Sequence, residues 1–498
     1  MATKKSILLV TVDCLRADHV GFMGYGRPTT PFLDSLTSTS FVVPTAIVAG
    51  APTYYSLPAI LASRFPLALG RDVLGLGPDE PTLASVLKEA GYATASFGAG
   101  NPYLSRRFGY EQGFDVFNDF LEGQAGPISE EKTNIASGNG WASRLNRKLQ
   151  RIRSSMGPLG IVYDELYFEF CQRVTPVPDS LDALRRFPAA NVIVDHACKW
   201  LSSVGDSPFF LWLHLMDPHS PYYPKDAAFA GMGQEPVTPY RARYVNSYWN
   251  RSDLGPRRLQ RARDEIVSLY DAGVRWVDQQ MARLIESLRR SNRWDDCIFA
   301  LTADHGEEFI DHGGRYHPPF QLTEELIHVP LLLRAPGSEK REVSKSPFSM
   351  IHLAPTLLDA AQLTAPASFQ GRSCLRQLER GGDFDGPAIS ECVAGCTNPF
   401  HAENRMGPRV LSVRESRYKL VLHFHPAAED LYDLEADPKE QSPLAVAEQK
   451  PVRRRLLEVA REHLRQSSEQ RDCRTRVRAR LREVQLEWAR SFPQRSEA

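Results

Sequence analysis

Three apolar segments of this sequence each end on side chains that bind metal ions. A short apolar run bounded by turn residues is typical of a buried strand. The segments are residues 7–12, 209–216 and 298–303, and the side chains that follow them are Asp13, Asp217, His219, Asp304 and His305. An aspartate after a strand is often only the N-cap of the next helix. Three such strand ends would meet at the ligand-binding edge of one α/β sheet, however, and this favours a site for a divalent metal ion.

A hydroxyl group, that of Thr53, precedes a helical pattern. Residues 56–63 are small and apolar at helical spacing, so Thr53 is predicted at or just before a helix N-terminus. The positive end of the helix dipole and the free N–H groups there suit an oxygen that binds an anion or attacks one. A plain N-cap is the simpler role for the same residue and stays open.

Further histidines lie close to these segments. His214 is inside one of the apolar runs, and residues 311–317 form a loop with two more histidines. We predict that this loop contacts the strand end at 217–219, on the same sheet edge as Asp304. The candidates for a second metal site or for substrate binding are His214, Asp217, His219, His312 and His317.

The composition limits the classes of partner. The 498 residues suffice for a large core, and the 60 basic and 60 acidic residues cancel, so composition gives no electrostatic argument for nucleic acid. Lys4 and Lys5 precede an apolar run that is too short for a signal peptide or a membrane helix. The eight cysteines are scattered and are predicted to be reduced. We therefore expect a cytoplasmic protein without nucleic acid or a membrane span; a homo-oligomer is allowed.

Strand and helix patterns alternate along most of the chain. A strand at 41–46, a helix at 81–90 and a strand at 92–97 indicate β-α-β units, and hence an α/β protein with a mostly parallel central sheet flanked by helices. The pattern is lost between 120 and 185, an insertion that is a candidate lid over the site. The predicted units are a catalytic domain over 1–375, a small C-terminal α+β subdomain over 376–450 and a charged helical tail over 451–498.

Eight segments resemble the sulfatase branch of the alkaline-phosphatase superfamily, in the order found in that family. They are residues 6–18, 53–66, 214–224, 270–272, 302–308, 329–331, 354–359 and 431–434. The resemblance implies the fold of that family and a metal-dependent hydrolase of phosphoric or sulfuric esters. It also implies that a divalent ion (Ca, Mn, Mg or Zn) is held by Asp13, Thr53, Asp304 and His305, with Thr53 as the nucleophile.

Three positions depart from the family pattern. Sulfatases carry a Cys or Ser in a Cys-x-Pro-Ser-Arg motif, where it is oxidised to formylglycine, but this chain has Thr53-Tyr54-Tyr55-Ser56-Leu57, and threonine cannot form that aldehyde. Cys14 replaces a metal-binding aspartate, and the lysine expected after residues 92–97 is absent. An alternative alignment that starts the motif at Ser56 would shorten the following helix by three residues.

The leading hypothesis is hydrolysis of phosphate monoesters, phosphodiesters or phosphonate esters through Thr53. His219 and His317 are the candidate residues that protonate the leaving group. The alternatives are a sulfatase that lacks formylglycine, a transferase of a phospho-head-group, and a non-catalytic binding member of the fold. The expected substrate is a small anionic ester, carried on a sugar or a lipid.

Overall fold

The computed structural model describes residues 4–71, 73–121, 158–337, 343–445 and 447–469. Most of the insertion predicted as a lid, residues 122–157, lies outside the described residues, as does the tail from 470. Within the described ranges, no helix is both long enough and apolar enough to cross a membrane.

Fourteen strands form two sheets and a short hairpin in the described residues. They are β1 (Ser6–Val12), β2 (Phe41–Ile47), β3 (Ala93–Gly98), β4 (Val116–Asn118), β5 (Phe209–Leu215), β6 (Cys297–Ala303), β7 (Glu308–Phe309), β8 (Arg315–Tyr316), β9 (His328–Arg334), β10 (Phe348–Ser349), β11 (Ala388–Val393), β12 (Arg409–Glu415), β13 (Tyr418–Phe424) and β14 (Ala427–Asp433). The central sheet has the order β10-β2-β9-β6-β1-β5-β3-β4, and β11 to β14 form the second, antiparallel sheet.

Helices flank the central sheet. In chain order they are α1 (Pro31–Ser35), α2 (Thr53–Ala62), α3 (Leu83–Glu89), α4 (Pro158–Val174), α5 (Ala190–Val204), α6 (Asp226–Gly231), α7 (Pro239–Trp249), α8 (Pro256–Arg290), α9 (Glu324–Ile327), α10 (Leu353–Ala360), α11 (Leu375–Arg380) and α12 (Lys450–Glu469). The 35-residue helix α8 packs against α1, α5, α6 and α7.

The three apolar runs are the three central strands. Every residue of β1, β5 and β6 is buried, because helices cover both faces of a parallel sheet, and this is why the runs lack the polar alternation of a half-exposed strand. The mostly parallel sheet predicted from the sequence is confirmed. Among the described strands of the central sheet, only β9 runs antiparallel to its neighbours, β2 and β6, a reversal that an apolar run does not encode.

The C-terminal subdomain supports the segment before α2. Glu391 of β11 donates its backbone N–H to the Ala49 carbonyl at 2.9 Å, and the hydroxyl of Ser390 donates to the Val48 carbonyl at 2.6 Å. Helix α12 packs Leu456 and Ala460 against the apolar face of the second sheet. The charged tail predicted from 451 therefore begins as a packing helix.

A buried ion pair fastens α12 to this sheet. Nε2 of His463 lies 3.0 Å from Oε2 of Glu391, whose Oε1 accepts the Leu67 N–H at 2.9 Å. The Glu391 carboxylate is fully buried, and Arg409 is 3.5 Å away. Burial alone would raise the pKa of Glu391, but His463 and Arg409 hold it below its usual value.

We expect His463→Ala to lower the free energy of unfolding by about 2–4 kcal/mol, because it removes a partner from a buried carboxylate. Chemical denaturation would measure the change. Arg465→Ala is the matched control on the same helix, since Arg465 pairs with Glu462 at the surface, and should cost less than about 1 kcal/mol. Equal effects of the two substitutions would contradict the role given to His463.

Candidate metal centre

Strand register brings the first two carboxylates together. β1 pairs in parallel with β6 so that Val12 lies opposite Ala303, and the next residues on the two strands are Asp13 and Asp304. On the other side of β1, the Asp13 N–H donates to the Leu215 carbonyl at the end of β5 at 2.8 Å. Both aspartates are fully buried. Three neighbouring strand ends therefore face one site, as the sequence predicted.

Asp13 is the centre of this group. Its Oδ2 accepts a hydrogen bond from Nδ2 of Asn101 at 2.9 Å and lies 3.2 Å from Nε2 of His214. Its Oδ1 lies 3.6 Å from Nε2 of His305 and accepts from the Cys14 thiol at 3.2 Å. The carboxylate thus touches side chains from three strand ends.

Thr53 is the first residue of α2 and faces the same group. Its Oγ1 lies 3.2 Å from Nε2 of His305, and its hydroxyl lies beside the Asp304 carboxylate. The N-cap residue is Pro52, so Thr53 does not cap the helix with its side chain. Nδ1 of His305 lies 2.8 Å from the Gly306 carbonyl, to which it donates, so Nε2 is left with its lone pair. The Thr53 side chain therefore faces the site and does not act as an N-cap.

The pKa values of Asp13 and Asp304 are shifted in opposite directions. Burial alone would raise the pKa of Asp13, but His219, His214 and His305 hold it well below its usual value. Burial and the charge of Asp13 raise the pKa of Asp304. Two buried carboxylates this close repel each other unless positive charge lies between them.

The residues fit a divalent cation. Oδ2 of Asp304 is buried and has no hydrogen-bond partner, with Nε2 of His305 3.6 Å away. Carboxylate oxygens, one hydroxyl oxygen and one imidazole form a donor set for a hard or borderline dication. Asp13, Thr53, Asp304 and His305 would hold it; we call these four residues the primary site.

Beside the primary site lies a second group, Cys14, His219 and His317. Sγ of Cys14 is 3.5 Å from Nδ1 of His317, and the rings of His219 and His317 have their centroids 5.3 Å apart. Burial alone would lower the pKa of His317, but its contact with Glu307 raises it. Burial lowers the pKa of His219, and burial with the charge of Glu307 raises that of Cys14. The predicted contact between the histidine loop and the 217–219 strand end is thus present for His317.

Asp217 and His312 do not join these groups. Asp217 Oδ1 pairs with Arg185 at 2.7 Å, and its Oδ2 accepts the Ala190 N–H at the start of α5 at 2.9 Å. Nδ1 of His312 lies 2.7 Å from Glu325. Both candidates for a second metal site are instead structural, because each already has a charged partner. His214 lies deeper, with Nδ1 2.9 Å from the Thr11 hydroxyl, and orients Asp13.

Several residues of the site were not among the sequence candidates. Asn101 follows β3 at the same sheet edge, and Glu307 lies three residues after Asp304; position after a strand was the signal for both. Tyr222 donates to Glu307 at 2.8 Å, and Tyr270 donates to the Cys14 carbonyl at 2.8 Å. Both tyrosines lie in segments of the family resemblance, 214–224 and 270–272, but their partners are distant in the chain, so the sequence does not indicate these contacts.

We expect Asp304→Asn and Asp13→Ala each to lose one equivalent of bound metal per chain and nearly all activity, while the fold is kept. The reason is that these carboxylates line a site and contribute no apolar packing to the core. Metal analysis and circular dichroism would measure both outcomes. Asp217→Asn should keep its metal; a fully metallated, active Asp304→Asn protein would refute the assignment.

His312 is expected to make the stability of the protein depend on pH. Its hydrogen bond to Glu325, opposed in part by burial, raises its pKa to about 9, against 6.5 for an ordinary histidine. The protonated form is the stabilised one, so the stabilisation is full below about pH 6.5 and is lost as the pH rises through about 9. Relative to His312→Gln, the wild type should be about 1–2 kcal/mol more stable at pH 6, after allowance for solvent screening, and this margin should vanish near pH 10. Unfolding curves at several pH values would measure it, and a constant margin would contradict it.

The chain matches a known family over most of its length. Residues 5–363 match the family model described as Sulfatase, and residues 315–469 match that described as N-sulphoglucosamine sulphohydrolase, C-terminal. An arylsulfatase of Clostridium perfringens (strain 13 / Type A) is 24% identical over 474 residues, or 90% of this chain and 91% of the relative. The multifunctional alkaline phosphatase superfamily protein PehA of Trinickia caryophylli is 21% identical over 486 residues, or 89% of this chain and 91% of the relative.

Solved structures show the same fold. The structure of BT4656 in complex with its substrate D-glucosamine-2-N,6-O-disulfate superimposes with a TM-score of 0.66 at 17% identity, covering 94% of this chain and 99% of that one. The phosphonate monoester hydrolase SpPMH from Silicibacter pomeroyi gives 0.64 at 20% identity, covering 94% and 96%. Because the Sulfatase model spans well over half of the chain, the protein belongs to the sulfatase family and is a hydrolase of ester bonds.

Proposed function

We propose that the protein hydrolyses phosphate or phosphonate esters, with the Thr53 hydroxyl as a covalent nucleophile. The observation that carries the proposal is the position of Oγ1: at the N-terminus of α2, 3.2 Å from His305 and beside the carboxylate of Asp304. Thr53 stands where sulfatases carry the residue that is oxidised to formylglycine. Because threonine cannot form that aldehyde, its oxygen would have to attack directly, and direct attack with later hydrolysis is a competent route at phosphorus.

A divalent cation in the primary site would lower the pKa of the hydroxyl and neutralise charge on the bound ester. Thr53 gives its proton to solvent water, and the departing alcohol takes one up, because Nε2 of His305, whose other nitrogen donates to the Gly306 carbonyl, would be occupied as a ligand of the cation. The Oγ1–P bond forms as the bond from phosphorus to the ester oxygen breaks, and the alcohol leaves. Water then attacks phosphorus, the Oγ1–P bond breaks, and Thr53 recovers its proton.

Other residues of the chain bind and orient the reactants. The free N–H groups of the first turn of α2 suit the negative oxygens of a bound ester. His219 and His317 lie on the Cys14 side of the site and would stabilise the departing oxygen. Asn101 and His214 hold Asp13 in place. The substrate class is a small anionic ester; the sulfated sugar bound by BT4656 supports an ester carried on a sugar.

Sulfate-ester hydrolysis without formylglycine is the second candidate. The similarity to an arylsulfatase over 90% of the chain favours it. Rates on matched aryl phosphate, phosphodiester, phosphonate ester and aryl sulfate substrates would separate the two. Faster turnover of the sulfate would replace the first proposal by the second.

We expect Thr53→Ala to lower kcat/KM at least about a thousandfold, or ~4 kcal/mol of transition-state stabilisation, since it removes the nucleophile. Thr53→Ser keeps an oxygen and should retain part of the activity. Ser56→Ala is the matched control: the Ser56 hydroxyl is buried three residues away, without a hydrogen-bond partner, so activity should stay close to wild type.

Intact-mass spectrometry after brief exposure to substrate should show a phosphate adduct that maps to the peptide containing Thr53. The adduct should be absent from Thr53→Ala. An adduct on Ser56, or wild-type turnover by Thr53→Ala, would overturn the mechanism.

A further inference from the structure

Cys14, His219 and His317 form a cluster with the spacing of metal ligands. One ligand atom from each lies within 4.8 Å of the others, and the Sγ to Nδ1 distance from Cys14 to His317 is 3.5 Å. Cys14 is fully buried, whereas the two histidines are half-buried. The cluster is next to the primary site, because Sγ of Cys14 also lies 3.2 Å from Oδ1 of Asp13.

Polar groups next to the cluster hold both imidazole rings in place. Nδ1 of His219 lies 2.5 Å from the Ser220 carbonyl, and Nδ1 of His317 lies 3.3 Å from Oε2 of Glu307. Glu307 is itself fixed by the Tyr222 hydroxyl at 2.8 Å. The Ser220 carbonyl, by accepting the Nδ1–H of His219, sets its tautomer and leaves Nε2 free, the arrangement common among metal-binding histidines; Glu307 holds the His317 ring beside Cys14.

Negative charge is concentrated at the site. Asp13, Asp304 and Glu307 are fully buried carboxylates. In the described part of the chain, their recorded side-chain partners are histidines, hydroxyls, a thiol and an amide, with no lysine or arginine among them. Buried carboxylates without a lysine or arginine partner favour bound cations, and the cluster of Cys14, His219 and His317 lies beside them, with His317 contacting Glu307.

We propose that Cys14, His219 and His317 bind a second divalent cation, and that this cation is Zn²⁺. A thiolate with two imidazoles is a soft to borderline donor set that Zn²⁺ prefers and Ca²⁺ or Mg²⁺ does not. Three protein ligands leave one tetrahedral position open. The use of that position for the departing oxygen rests on the proposed function, whereas the binding itself does not.

Cobalt binding to the metal-free full-length chain tests the proposal, because Co²⁺ reports a thiolate ligand by its charge-transfer absorption in the near ultraviolet. We expect two equivalents per chain and this absorption band in the wild type. Cys14→Ser, His219→Ala and His317→Ala should each bind one equivalent without the band or with the band strongly reduced. Zinc analysis after loading should give the same counts of two and one.

Matched controls are Cys198→Ser and His312→Gln, a cysteine on α5 and the histidine paired with Glu325; both should bind two equivalents with the band. Since Cys14 is buried, the two half-buried histidines provide the same test without a change in the core. One equivalent in the wild type with no band, or a band that persists in Cys14→Ser or His317→Ala, would overturn the proposal.

The outcome is separable from that for the threonine chemistry. Thr53→Ala leaves Cys14, His219 and His317 in place and should keep the cobalt band. Failure to trap a phosphate on Thr53 would remove the proposed function and leave the cobalt count unchanged. Loss of the band from Thr53→Ala would place the thiolate in the primary site and refute a separate second one.

Discussion

The site depends on the parallel pairing of β1 with β5 and β6. This register places Asp13 level with Asp304, next to the end of β5, and buries both carboxylates completely. The other side chains of the site interact with this negative charge. Histidines from two strand ends surround Asp13, an asparagine after β3 donates to it, and the threonine at the start of α2 faces the opposite side. A shift by one residue in either pairing would turn a carboxylate into the core, so the register is strongly specified.

Two sets of contacts determine the position of Thr53. The helix it begins is buried along its whole length, and the segment before it is hydrogen-bonded to β11 of the second sheet. The Tyr54 hydroxyl donates to the Cys396 carbonyl in the same subdomain. Gly306, after His305, packs so closely that a Cβ there would overlap the Glu325 carbonyl. The C-terminal subdomain therefore helps to position Thr53, although it contributes no residue to the primary site. For the proposed nucleophile, a displacement of about 1 Å would remove much of the rate advantage.

Two of the departures from the sulfatase pattern, at Thr53 and Cys14, have related physical consequences. A threonine oxygen must be activated where it stands, and a thiol is a softer ligand than the aspartate it replaces. In the proposed function, both changes make the chemistry more dependent on bound cations and less on a modified side chain. The proposals for function and for a second cation are tied together by this dependence, yet each rests on its own contacts.

The sequence by itself determined the parts that follow from local pattern. Apolar runs that end on Asp13, Asp304 and His305 predicted buried strands and a metal site, and helical spacing after Thr53 predicted the start of α2, since strand and helix patterns report burial and periodicity along the chain. Only the tertiary structure decided which polar residues were free to act. Asp217 and His312 have the same residue types as the proposed ligands, but Arg185 and Glu325, which are distant in sequence, already pair with them. From the sequence, Cys14 was predicted to be reduced like the other cysteines. The fold places His219 and His317 beside it. Such pairings are set by which chain segments pack together, and no local pattern carries that information.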